Sequence, residues 1–163
     1  MRPSRLAALL TPLILIATLT NCSSTGSNTG GNSAVTNAST AANSAPQDNA
    51  EELAMLVKLP FEPEEVAWKE NPEKKQLIAV IRFSPENAGK FSAEIGKLGQ
   101  PVVEDLPVET WYPAELVAQG ELTGESIVRG TSFPAESLLN PPYTTGKITR
   151  VDNTDFFILQ MSS

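Results

Sequence analysis

Carboxylates, lysines, tyrosines and hydroxyls are the side chains this 163-residue sequence offers for chemistry, because it has no histidine and one cysteine, Cys22. That composition excludes a Ser-His-Asp triad, a Cys-His nucleophile and the usual His/Cys zinc sites within the chain. Haem held by histidine or cysteine is excluded as well. No Gly-rich phosphate loop and no Ser-x-x-Lys spacing is present. With 19 acidic residues, a pair of carboxylates could serve as acid and base for cleaving a glycosidic bond. Such a pair must converge on a cleft, and a small domain has little room to build one. Glu62, Glu64, Glu65, Glu70 and Glu73 interleave with Lys69, Lys74 and Lys75, which is how a solvated face reads. Asp152-Asn153-Thr154-Asp155 could offer oxygens to Ca²⁺, but it lacks the Gly and distal Glu of a full loop. A hairpin turn is the plainer reading there, and no metal or cofactor is expected.

The aromatics are the other candidates. Trp111-Tyr112-Pro113 places two adjacent rings on a Pro-limited segment, and Asn140-Pro141-Pro142-Tyr143 is a rigid turn ending in a ring. Trp111, Tyr112 and Tyr143 therefore form the candidate binding surface. The architectural reading, a clamp closing the sheet's open end, is the plainer one, since large aromatics serve cores as readily as interfaces. Arg82, inside the most apolar segment, reads as structural, pointing to solvent or pairing with a carboxylate such as Glu94.

Cys22 carries a sharper signal. Arg2 and Arg5 precede an apolar run, Leu6–Leu19, and then polar residues. Thr11-Pro12 interrupts that run, which falls short of the roughly 20 apolar residues a spanning helix needs. A cleaved export signal over 1–21 fits this pattern. Leu19-Thr20-Asn21-Cys22 resembles the lipobox of bacterial lipoproteins, although Gly, Ala or Ser is usual where Asn21 stands. The resemblance covers Met1–Cys22 alone. It implies that the Cys22 thiol carries a diacylglycerol, that the signal is cut before it, and that the new terminus is acylated. It also implies a place in the cell envelope. By the enterobacterial sorting pattern, Ser23 permits transfer to the outer membrane if the cell is Gram-negative. An exported chain with an unpaired cysteine needs a reason for it, and lipidation supplies one.

Residues 22–47 are almost entirely Ser, Thr, Asn, Gly and Ala. Such a stretch cannot bury enough surface to offset its ordering entropy. It is expected to be a flexible tether. Formal charge is −7, and loss of Arg2 and Arg5 with the signal takes the mature chain to −9. That acidity disfavours the phosphate contacts that dominate nucleic-acid affinity and argues against lying flat on anionic lipid.

The elements that position the candidates follow from local rules. Over 48–60, Asp48 and Glu51 suggest a capped linker helix ended by Pro60. The α+β domain spans 61–163. Glu65–Lys69 and Gln76–Phe83 read as a hairpin, with the second strand apolar on both faces and therefore central. Ser84, Pro85 and Glu86 start a helix whose stripe is Ala88, Phe91, Ile95 and Leu98, with Gly99 as its stop. Two short helical pieces are expected at Val108–Trp111 and Pro113–Gln119. A strand over Glu125–Phe133 and a helical turn over Pro134–Leu139 follow. Thr144–Val151 and Thr154–Met161 close the chain as a hairpin turning at Asp152-Asn153. The expected fold is a mostly antiparallel sheet of about five strands with helices on one face.

Function is expected to be a non-enzymatic binding or accessory module, anchored to the membrane through Cys22. Its partner would be an envelope protein or cell-wall component, and not nucleic acid. A small carboxylate-based cell-wall hydrolase is one alternative. An inhibitor or subunit of an envelope enzyme is another.

Overall fold

The computed structural model describes residues 45–163. The expected signal, Cys22 and all but the last residues of the expected tether lie outside the described residues. No helix among the described residues is long and apolar enough to cross a membrane.

Six antiparallel strands form one sheet in the order β1-β2-β6-β5-β4-β3, with three helices packed on it. The fold is α+β. β1 (Glu65–Asn71) and β2 (Gln76–Arg82) make the expected hairpin. Its turn is held by Asn71 Oδ1, which accepts from the Lys74 amide at 3.0 Å. β2 is central as its two-faced apolarity requires: Leu77, Ala79 and Ile81 fill one side, Val80 the other. β6 (Phe156–Ser162) lies beside it and pairs on its far side with β5 (Thr145–Val151). The β5–β6 turn is at Asp152-Asn153, and Asn153 takes φ 60°, which Asn tolerates better than most residues.

α2 (Pro85–Ile95) starts as the local signals dictate. Ser84 Oγ accepts from the Asn87 amide at 3.3 Å, and Pro85 occupies the first turn. Its buried stripe, Ala88, Phe91 and Ile95, faces the sheet. Phe91 meets Phe83 and Phe157 at ring separations of 5.1 and 5.0 Å. The helix stops at Gly96, a turn earlier than Gly99 suggested, so Leu98 falls past its end and is 37% exposed. Gly99 has another purpose. A Cβ there would lie 2.8 Å from Pro134 Cγ, so glycine lets the two segments touch.

α1 (Ala50–Leu56) is capped by Asn49 rather than Asp48. Asn49 Oδ1 accepts from the amides of Glu51 and Glu52 at 3.0 and 3.3 Å. Far from being a free linker, this segment is part of the core. Leu53 and Val57 are fully buried, and the Lys58 amide donates to Leu138 O at 2.7 Å. Gln47, at the expected end of the tether, already exchanges two backbone bonds of 2.8 Å with Trp68 of edge strand β1.

The segment after α2 differs most from expectation. Val102–Pro107 is a strand, β3, pairing with β4 (Ile127–Pro134) at the far edge of the sheet. Val108–Trp111 is not helical, and one helix, α3 (Ala114–Leu122), follows Pro113. Leu116 of α3 packs with Tyr112, Val80, Ile158, Phe156, Val151, Val128 and Leu106. Those residues lie on the face opposite the α1 and α2 core. The helices therefore divide between two faces rather than sharing one, because both faces of β2 and β6 are apolar and each requires a cover. A single 3₁₀ turn, Glu136–Leu138, sits where one helical turn was expected.

Candidate functional site

The face carrying α3 is covered over only part of its length, and its register shows why. Val80, Ile158, Thr149 and Ser132 stand side by side across four strands. The row begins apolar and lies next to the α3 core. One step along the strands, Lys69, Ile78, Gln160 and Lys147 form the next row on that face. Beyond it come Asn71, Gln76, Ser162 and Thr145. Side chains two apart share a face, so the sheet changes from apolar to polar within two residues. α3 and Tyr112 cover the apolar part. Apart from Ile78, which packs against the α3 core, the two rows are polar, and they are partly or fully exposed.

Two contiguous depressions occupy this open half and share Gln76 and Ile78. One, of ≈ 460 Å³, is floored by Gln160, Lys147, Thr145 and Ser162 and bordered by Glu136. The other, of ≈ 290 Å³, lies against Trp111 and Glu109, with Lys69, Lys74, Glu70 and Asn71 around it. Trp111 is half-buried and meets Tyr112 edge to face at 4.7 Å. Thr145 Oγ1 and Ser162 Oγ are 2.8 Å apart.

A polar cluster fixes the far side of the surface. Glu104 of β3 stands opposite Gly130 of β4. With no side chain at Gly130, the Glu104 carboxylate reaches over β4 to β5. There its Oε2 accepts from Lys147 Nζ at 2.6 Å, and its Oε1 accepts from Ser132 Oγ and from Thr149 Oγ1, the latter at 3.1 Å. Ser132 Oγ and Thr149 Oγ1 also touch, so one of the two hydroxyls can donate to the other in place of the carboxylate. Partial burial alone would raise the Glu104 pKa. The hydrogen bonds from Lys147 and Ser132, the Lys147 charge and the Thr149 hydroxyl outweigh it and leave the pKa lowered. A general acid needs the opposite displacement.

A folded-state pKa below the unfolded value adds stability above the unfolded value, and that stability disappears as pH falls through the folded one. Wild type should therefore lose its stability advantage over Glu104→Gln as pH drops from 6 to 3 in urea denaturation series. A difference independent of pH would contradict this role for the carboxylate. Gly130 is equally exacting. A Cβ there would lie 2.4 Å from the Arg150 carbonyl oxygen, a backbone atom that cannot step aside. Gly130→Ala should cost about 1–3 kcal/mol, the usual scale of overpacking, read as a lower urea midpoint.

Of the three aromatics proposed from sequence, Trp111 alone borders the open surface. Tyr112 is 6% exposed and belongs to the α3 core. Burial, then the nearby Glu109 charge, pushes its pKa up to about 12. Tyr143 is 4% exposed and packs in the other core, on the opposite face of the sheet. Its hydroxyl donates to Glu70 Oε1 at 2.6 Å. Burial, that bond and the Glu70 charge raise its pKa. Both tyrosines are architectural because each ring completes an apolar layer. Arg82 pairs with Glu65, its direct neighbour across β1–β2, at 3.3 Å rather than with Glu94, and lies 5.7 Å from the Phe156 ring. Asp152–Asp155 is a turn, with the Asp152 carbonyl accepting from Gln119 Nε2 at 3.4 Å.

The residues that do form the surface, Gln76, Gln160, Lys69 and Lys147, were not singled out from sequence. Gln160 had a readable signal. It is the one polar residue in the run Phe156–Met161, and a polar side chain inside a central apolar strand needs an open face or a partner.

Comparison with protein-family models, with curated proteins and with solved structures finds no match to this chain.

Proposed function

We propose that this protein is a lipid-anchored lipoprotein of the bacterial cell envelope, attached through Cys22 and, in a Gram-negative cell, sorted to the outer membrane by Ser23. In this reading it is a non-enzymatic binding module that holds an envelope component on the open half of its sheet. The observation that carries the binding role is the pair of polar rows left uncovered on a face whose other half is capped by α3. A second helix, or apolar residues there, would have made a continuous core. Instead the strands carry amides, hydroxyls and lysines beside one half-exposed indole, the mixture of polar anchors and apolar wall that ligand sites use. The residues after Cys22 would hold this surface off the bilayer.

An inhibitor or enzyme subunit docking through an exposed Trp111-Tyr112 patch is less well supported, since Tyr112 is buried. A carboxylate-based hydrolase is also less well supported, since Glu104 beside the surface is held low by its lysine.

The test uses full-length protein in native membranes. Gln76→Arg combined with Gln160→Arg should reduce co-purification of the bound component about tenfold, which corresponds to losing one or two hydrogen bonds. Unfolding free energy should stay within about 0.5 kcal/mol of wild type, as for most surface changes. Undiminished co-purification would remove this surface from the account.

A further inference from the structure

Resting on the reading of the open half-sheet as the ligand surface, we propose that its ligand is an unbranched, uncharged glycan strand laid across the β-strands, with Trp111 against one sugar ring. Charge points there first. The chain carries −7, yet the surface is balanced, three lysines against three carboxylates over its two depressions: Lys69 and Lys74 share one with Glu109, the Glu70 carboxylate being turned to Tyr143 on the other face. In the other depression Lys147 stands with Glu136 and is already paired with Glu104. Neither an anionic nor a cationic polymer finds a complementary field. An uncharged polar ligand does.

The outer row supplies the matching chemistry. Asn71, Gln76, Ser162 and Thr145 occupy consecutive register positions on β1, β2, β6 and β5. Each can both donate and accept, as sugar hydroxyls do. With strands roughly 4.8 Å apart, three steps place Asn71 and Thr145 about 14 Å from each other, a length that takes a short run of linked sugars. Trp111 lies at the β1–β2 side of this row and offers an apolar ring to the C–H face of a sugar. A peptide strand would bind differently, adding to a sheet edge through its backbone and placing alternate side chains in pockets. The open half-sheet presents an interior face without paired apolar pockets.

The test titrates full-length protein in detergent with linear hexasaccharides of glucose, N-acetylglucosamine, mannose and galactose, following indole fluorescence and calorimetric heat. At least one should bind saturably and change the emission. Trp111→Phe should remove the emission change, because the other indole, Trp68, is buried. Gln76→Ala with Gln160→Ala should weaken binding about tenfold with unchanged thermal unfolding. No binding by any of the four would overturn the glycan assignment. So would binding that is indifferent to these variants, or preference for a lysine- or glutamate-rich peptide. Crosslinking of the same surface to other envelope material, with no glycan bound, would end this inference and leave the ligand-surface reading standing. Failure of both would end both.

Discussion

Phe157→Ala should destabilise the domain by about 3–5 kcal/mol, the range for removing a fully buried aromatic ring. Phe157 is on β6, in the middle of the sheet, and is 0% exposed. Its ring lies 5.7 Å from Phe83 and 5.0 Å from Phe91, so one truncation opens a cavity against both β2's end and α2. Neither neighbour can collapse into the gap without breaking its own contacts, which keeps the cost high. Since small domains are commonly stable by about 5–15 kcal/mol, the variant should melt far earlier. Leu122→Ala is the control: Leu122 is 89% exposed, and its loss should stay within about 0.5 kcal/mol. Urea unfolding of both variants decides the matter. A Phe157→Ala cost below about 1 kcal/mol would mean the two-core packing is misassigned.

Cys22→Ser should move the protein from the membrane to the soluble fraction and abolish labelling by radioactive fatty acid. Each buried methylene contributes about 0.8 kcal/mol, and one acyl chain alone binds only marginally. The lipoprotein resemblance implies two or three chains on one residue, enough for durable attachment, and serine offers no thiol for the first of them. The domain's acidic charge gives anionic lipid no reason to hold it once the anchor is gone. Sedimentation of membranes before and after a salt wash measures the outcome. Full retention of the serine variant would overturn the anchor.

What could be read from sequence was what neighbouring residues decide among themselves. Ser84-Pro85 starts α2 because a cap and a fixed φ act within one turn. Asn153 marks the β5–β6 turn because its own backbone preference suffices. β2 announced itself by apolarity on both faces. β3 did not, because an edge strand with Leu106 as its one buried residue carries almost no periodic signal, and Pro101 and Pro107 bracket it like a loop. Gly99 misled for a related reason: glycine after a helix reads as a stop, whereas here it makes room for Pro134. The site was legible only in part. Trp111 drew attention as an aromatic, but its partners Gln76, Gln160 and Lys69 come together through strand pairing over more than 80 positions of sequence. Tyr143 read from sequence as an architectural ring on a rigid turn, and it is one, though its bond to Glu70 joins positions 73 apart that no local pattern links.

Photo-crosslinking in the intact envelope tests the ligand surface most directly. A photoreactive residue placed at Gln160, on the polar row, should capture a discrete adduct in living cells. The same group at Glu115, exposed on α3 and lining neither depression, should capture none. Equal adducts at both positions, or none at Gln160 in a protein shown to be folded and membrane-bound, would contradict the account.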